Sequence, residues 1–157
     1  MSESGRSRLC EVLERSGPLM DLQATDLEGV FREQLDAFKA LGKLTEKQAD
    51  ELLENLMRRE RAGTTGVGKG VALPRGRHPD LADFLMPLGR SKKGIEFHAL
   101  DRQPVHIVAT ILIPTGAEEE NMQLSESLHR CMRSETFRSR VLSAEDMSDV
   151  LRAITEL

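Results

Sequence analysis

The sequence predicts an α/β fold: a three-layer α/β/α sandwich whose mixed β-sheet of about four to five strands is flanked by helices. Three observations carry this. Amphipathic stretches at helical spacing fill the first and last thirds of the 157-residue chain. The middle third is glycine-rich and broken into short apolar runs. One of these, residues 105–113 (VHIVATILI), is β-branched and apolar almost throughout, as suits a central strand covered on both faces. Helices on either side of a sheet accommodate that order best.

The elements follow in sequence. Residues 1–18 read as an N-terminal extension or short helix ending at Gly17-Pro18, and residues 19–157 as a single domain. Residues 19–22 (LMDL) suit a short strand. Thr25 with Glu28 fits a capping box, followed by Leu27, Val30, Phe31, Leu35, Phe38 and Leu41 at helical spacing, with Gly42 placed for a left-handed C-cap. Thr45 with Gln48 repeats the box for a second helix, whose stripe is Ala49, Leu52, Leu53, Leu56 and Met57. That helix is expected to fray through Arg58-Arg59-Glu60-Arg61 and stop at Gly63. The short connection implies an antiparallel helix pair. Gly63, Gly66, Gly68 and Gly70 mark a loop; Val71-Ala72-Leu73 reads as a buried strand stopped by Pro74. Residues 81–88 and 95–97 are further strand candidates. Met122, Leu124, Leu128, Cys131 and Met132 approximate one helical stripe, Phe137, Val141 and Leu142 a second, and Ser143 with Asp146 caps a last helix that buries Met147, Val150, Leu151 and Ile154.

Composition excludes several classes of function. A net charge of −4 argues against a general nucleic-acid binder. With no Trp or Tyr and five Phe, aromatic platforms for stacking bases are scarce. The most apolar stretch is about half of what a bilayer helix needs, so direct membrane insertion is not expected. The N-terminus has no apolar core of a secretory signal. Cys10 and Cys131 form no CxxC or ligand spacing, and reduced thiols in a cytoplasmic protein are the expectation. No pair among His78, His98, His106 and His129 has metal-ligand spacing, so neither metal nor cofactor is expected. Gly66-x-Gly68-x-Gly70 precedes a strand rather than following one, and no GK[ST] is present, so the dinucleotide and P-loop readings both fail.

Five segments in order then carry a resemblance. Thr64-Thr65-Gly66-Val67-Gly68-Lys69-Gly70-Val71-Ala72-Leu73-Pro74 is similar to T-G-I-G-x-G-[VI]-A-[IL]-P-H, the signature of the fructose, mannitol and nitrogen-regulatory IIA domains of the bacterial phosphoenolpyruvate:sugar phosphotransferase system. Asp21-Leu22-Gln23-Ala24-Thr25 resembles that family's approach to its first helix, and Gly94-Ile95-Glu96-Phe97-His98-Ala99-Leu100-Asp101 resembles G-[IV]-D-F-x-A-x-D. Gln103-Pro104-Val105-His106-Ile107-Val108 matches the strand that follows. Glu118-Glu119-Glu120-Asn121-Met122-Gln123-Leu124 falls where the family often reads E-H-L-x-x-L.

The resemblance implies a mixed sheet between helices and a reaction. A histidine of IIA takes a phosphoryl group from the phosphohistidine of an HPr-like carrier and passes it to a permease domain, or holds it as a signal in regulatory members. A second histidine helps hold the phosphate, and glycine-loop N–H groups, here those of Thr65, Gly66, Gly68 and Gly70, are the expected phosphate binders.

The acceptor must be a nucleophile near neutral pH, which neutral imidazole is. Here the residue after Pro74 is Arg75, a guanidinium that stays protonated and offers no lone pair. Asn121 stands at the second-histidine position. His78, three residues beyond Arg75, is the one candidate substitute, against the plainer reading of an exposed loop residue. His98 reads as a surface residue, His106 as a packed, hydrogen-bonded one, and His129 as half-exposed, one residue off its helix stripe. Lys69, Arg75, Arg77, Arg90, Lys92 and Lys93 form either a solvated face or an anion-holding patch with Arg75 as its clamp. Three functions follow: a regulatory or protein-binding IIA domain, a working carrier through His78 or a rearranged site, or an anion- or protein-binding domain outside the phosphotransferase system.

Overall fold

The computed structural model describes residues 1–157. Helix α1 (Glu3–Ser16) starts where the Ser2 hydroxyl accepts the Gly5 N–H, and it buries Leu9, Val12 and Leu13. Strand β1 (Met20–Asp21) leads to α2 (Leu27–Ala40) and α3 (Glu46–Ala62). The α3 cap is the expected box, with Thr45 and Gln48 each satisfying the other's backbone N–H. Helix α2 departs from expectation. Asp26, not Thr25, caps it, through a 2.8 Å bond from the Gly29 N–H, because Asp26 is the residue that turns extended at the boundary. Gly42 is left-handed, but Leu41 beside it is exposed. Helix α3 does not fray: it continues to Ala62 with Glu60 turned inward.

The strands β2 (Gly66–Gly68), β3 (Val71–Ala72), β5 (Leu88–Ile95) and β6 (Val105–Ala109) join β1 in one mixed sheet, ordered β1-β5-β6-β3-β2. Strands β4 (Arg75–His78) and β7 (Ile111–Pro114) form a separate parallel pair. Residues 105–113 are therefore not one strand: they break at Thr110. The cause lies next door. Pro74 has no N–H, so the β3–β6 ladder cannot run on past it. Pairing is interrupted at that level and resumes in the same register as β4 and β7, with the Ile111 N–H bonded to the Pro74 carbonyl at 2.8 Å. Gln34 fills the gap, accepting from the Thr110 hydroxyl at 2.6 Å.

Residues 81–88 are not a strand but bends ending in Leu88, and the strand expected at 95–97 is only the end of β5. Helices α4 (Glu118–Arg133), α5 (Glu135–Ser143) and α6 (Met147–Thr155) complete the chain. Asp146, not Ser143, caps α6. Met122 and Leu142 are exposed rather than part of their stripes.

The layers follow from strand alternation. Val71, Ile107, Ile111 and Ile113 face the core shared with α1, α4, α5 and α6. Ala72, Val108 and Leu112 face the other core, under α2 and α3, where Phe31 and Phe97 meet edge to face. Cys131 lies in the first core, and burial pushes its thiol up to about 11. Burial likewise raises the half-buried Cys10.

The basic run separates by environment. Arg90 is mostly buried. It donates to the carbonyls of Val141, Leu142 and Ala144 at 2.8, 3.2 and 2.5 Å, where α5 ends, and pairs with Asp21 at 2.8 Å. A cation at a helix C-terminus satisfies carbonyls that have no helical partner. Lys92 and Lys93 on the same strand are exposed. Arg90→Ala should therefore cost on the order of 2 kcal/mol in urea unfolding, while Lys92→Ala and Lys93→Ala should each stay within about 0.5 kcal/mol.

Candidate functional site

Strand β4 carries the first group of side chains. His78, expected in a loop, is in the strand and 2% exposed. Its Nδ1 accepts the Asp80 N–H at 3.1 Å, which leaves the ring proton on Nε2, donated to Glu51 of α3 at 2.5 Å. Both nitrogens are occupied, and the ring reads as a cross-link from β4 to α3. Arg77 forms a two-pronged pair with Glu118 at the start of α4, at 3.2 and 3.0 Å, and its N–H is held by Asn55. That pair holds the Glu118 carboxyl below its ordinary range.

Arg75 is different. It is half-buried, and the charged neighbours that act on it are both cations, Arg59 and Arg77. Burial first, then those two arginines, push its guanidinium below the usual value. The protonated form still dominates by a wide margin.

The glycine segment is a tight hairpin turn between β2 and β3. Gly68, Lys69 and Gly70 have φ of 97°, 58° and 77°, the left-handed region that glycine adopts without strain. The expected phosphate donors are partly occupied within the protein. The N–H and hydroxyl of Thr65 both bond to Glu60, and the Gly66 N–H bonds to Thr64 Oγ1 at 3.0 Å. The Lys69 N–H is held by Asp101 at 3.1 Å.

Helix α4 brings the rest. Asn121 is buried, its Oδ1 accepting from the Ser125 hydroxyl at 3.3 Å. His129, two turns further along, is half-exposed, as its place one residue off the helix stripe predicts. It lines a cleft of about 140 Å³ together with Val67, Gly68, Lys69, Val71, Met132 and Arg133. Burial, then Arg75, then Arg133 lower its pKa, so the ring is uncharged near neutral pH. No local sequence signal joins His129 to Arg75; only the packing of α4 beside β3 and β4 does. His98 is exposed, and His106 shares Nδ1–H with the Ser91 carbonyl at 2.7 Å. Neither reaches this group. The structure thus brings Lys69, His129 and Arg133 to one cleft, while Arg75 and His78 lie on β4 outside its lining.

A family model described as "Phosphoenolpyruvate-dependent sugar phosphotransferase system, EIIA 2" matches residues 12–157. The fructose-specific EIIA component of Haloferax volcanii is 31% identical over 132 residues, covering 82% of this chain and 84% of that protein. The fructose-specific EIIABC component of Bacillus subtilis is 27% identical over 149 residues; the match takes in 95% of this chain but spans only 23% of that longer protein. Among solved structures, the nitrogen regulatory protein IIA-Ntr of Neisseria meningitidis superposes with a TM-score of 0.82 at 24% identity, covering 94% of this chain and 99% of that one. No helix is long and apolar enough to cross a membrane.

The carboxylate beneath the glycine turn yields a prediction. Burial raises the Glu60 pKa above its ordinary 4.5, a shift only partly offset by its bonds from Thr65. The folded state therefore holds the proton more tightly than the unfolded chain. The stability this lends is full below the unfolded pKa and is lost as pH rises through the folded one. Relative to wild type, the melting temperature of Glu60→Gln should climb steadily as pH is raised from about 4 to about 7. A constant offset across that window would contradict the assignment.

Proposed function

Because the chain belongs to the phosphoenolpyruvate-dependent sugar phosphotransferase EIIA 2 family, we propose that it serves that system as a regulatory or protein-binding IIA domain of the fructose and nitrogen-regulatory type, without carrying phosphate covalently. One observation supports this above the rest: Arg75 follows Pro74, where the family's signature T-G-I-G-x-G-[VI]-A-[IL]-P-H would have histidine. A phosphoryl acceptor needs an available lone pair, and a guanidinium has none to give. Asn121, at the second-histidine position, donates and accepts hydrogen bonds but does not titrate. The expected partners are an HPr-like carrier and a permease or transporter domain, met on the cytoplasmic side.

The alternative, a carrier working through His78, is weakened by the ring's surroundings. Phosphorylation there would require breaking the Glu51 or the Asp80 bond and exposing a side chain that is 2% accessible.

Incubation with phosphoenolpyruvate, the system's first enzyme and HPr, followed by intact-mass measurement, should show no phosphoryl gain on the wild-type chain. A gain formed at catalytic speed would overturn the reading, and its loss in His78→Ala would install the alternative. Arg75→His should recover little transfer by itself, and Arg75→His with Asn121→His should recover substantially more. Full recovery by the single variant would show that the second position matters less than argued here.

A further inference from the structure

We propose that the glycine turn and the loop before β6 form a docking surface for an acidic segment of a partner protein, which sets an apolar side chain against Leu100 and Val67. This surface lies at the start of β3, whereas Arg75 follows its end. The inference rests on the protein-binding half of the reading above and is independent of what Arg75 does.

The first support is an exposed apolar pair. Leu100 is 79% exposed and Val67 43%. The two are neighbours, because the Leu100 N–H donates to the Gly66 carbonyl at 3.3 Å and Ala99 packs on Gly66 too closely for a side chain there. Beside Leu100 opens a hollow of about 470 Å³, lined also by Glu96, His98, Ala99 and Arg102. Single exposed apolar residues are ordinary, but a pair next to a hollow can seat a partner's anchoring side chain.

The second support is the basic rim. Lys69, His98 and Arg102 are the non-glycine residues of positive φ, at 58°, 49° and 61°. Glycine would take these conformations without strain, yet all three positions carry basic side chains. Backbone strain of this kind concentrates where function requires a particular side chain. Asp101 accepts the Lys69 N–H at 3.1 Å and the Gln103 N–H at 3.0 Å, which ties the turn to the loop as one surface. Lys92 and Lys93 extend the rim from the irregular stretch of β5, where Gly94 packs directly on Pro104. Elsewhere Arg8, Arg77 and Arg140 reach carboxylates, whereas Lys69, Lys92, Lys93 and Arg102 are exposed and reach none.

The carboxylates nearby select the class of partner. Glu96 and Asp101 are exposed on the same loop, in a chain of net charge −4. A nucleic-acid strand or an anionic bilayer would bring negative charge against them as well as against the cations. A short protein segment places a few carboxylates and one apolar group only where the surface matches them.

The test titrates the full nitrogen-15-labelled chain with a short peptide of glutamate and leucine and follows its amide signals. Those of Gly66, Val67, Lys69, Leu100 and Arg102 should move together, while those of Arg75 and Asn121 stay. A glutamate–serine peptide, which keeps the charge and loses the anchor, should bind more weakly. Leu100→Ala and Arg102→Glu should each weaken binding about fivefold or more. Arg102→Gly removes the cation and relieves the left-handed backbone, so binding should fall while the urea midpoint stays level or rises. Lost binding is thereby separated from lost folding.

Equal binding of a lysine–leucine peptide, shifts centred on other residues, or no binding of the glutamate–leucine peptide each overturns the proposal. Adherence to phosphatidylglycerol vesicles without peptide binding overturns it as well, and assigns the patch to a lipid surface. Phosphoryl transfer to the chain would instead overturn the reading of Arg75 and leave these signals unchanged.

Discussion

At Pro74 the hydrogen-bond ladder has no donor with which to continue, and the rest of the molecule is arranged around that gap. The β3 and β6 strands stop together, and their continuations pair again one level further on as β4 and β7. This interruption places residue 75 at the start of a new strand, beyond the end of the main sheet. Buried Gln34 seals the discontinuity through Thr110 and the Pro87 and Val108 carbonyls. A buried amide with its groups satisfied is tolerated in a core where an unpaired one would not be. The placement of residue 75 is thus a product of backbone chemistry before any side chain is considered.

What occupies that position decides the chemistry. A histidine there would be uncharged and nucleophilic, and the surrounding cations would favour its phosphorylated form. An arginine makes the same surroundings repulsive until an anion arrives. Arg59 and Arg77 both act on Arg75, although Arg77 is itself paired with Glu118.

Much of the architecture was legible in local sequence. The Thr45–Gln48 box, the two-sided apolar run at 105–113 and the glycine spacing each report a short-range requirement, and each appears in the structure. Most of the failures involve partners distant in sequence. The break at Thr110 is imposed by Pro74 on a neighbouring strand. Strand β5 is rich in glycine and lysine and is a strand because β1 and β6 pair with it. His78 is buried because Glu51 on α3 reaches it. Thr25 and Asp26 are adjacent oxygen-bearing residues, and only backbone geometry chooses between them. For the proposed site, Arg75 and Asn121 stood out against the family's motif, and the structure adds their surroundings: Arg75 half-buried and Asn121 buried against Ser125.

The buried thiol of Cys131 has a consequence of its own. With its pKa near 11, only about one molecule in ten thousand carries the thiolate near pH 7. Peroxide and disulfide exchange both act through that thiolate, and Cys10 is shifted in the same direction. Buried Cys131 is therefore poorly placed to react with peroxide or to exchange disulfides.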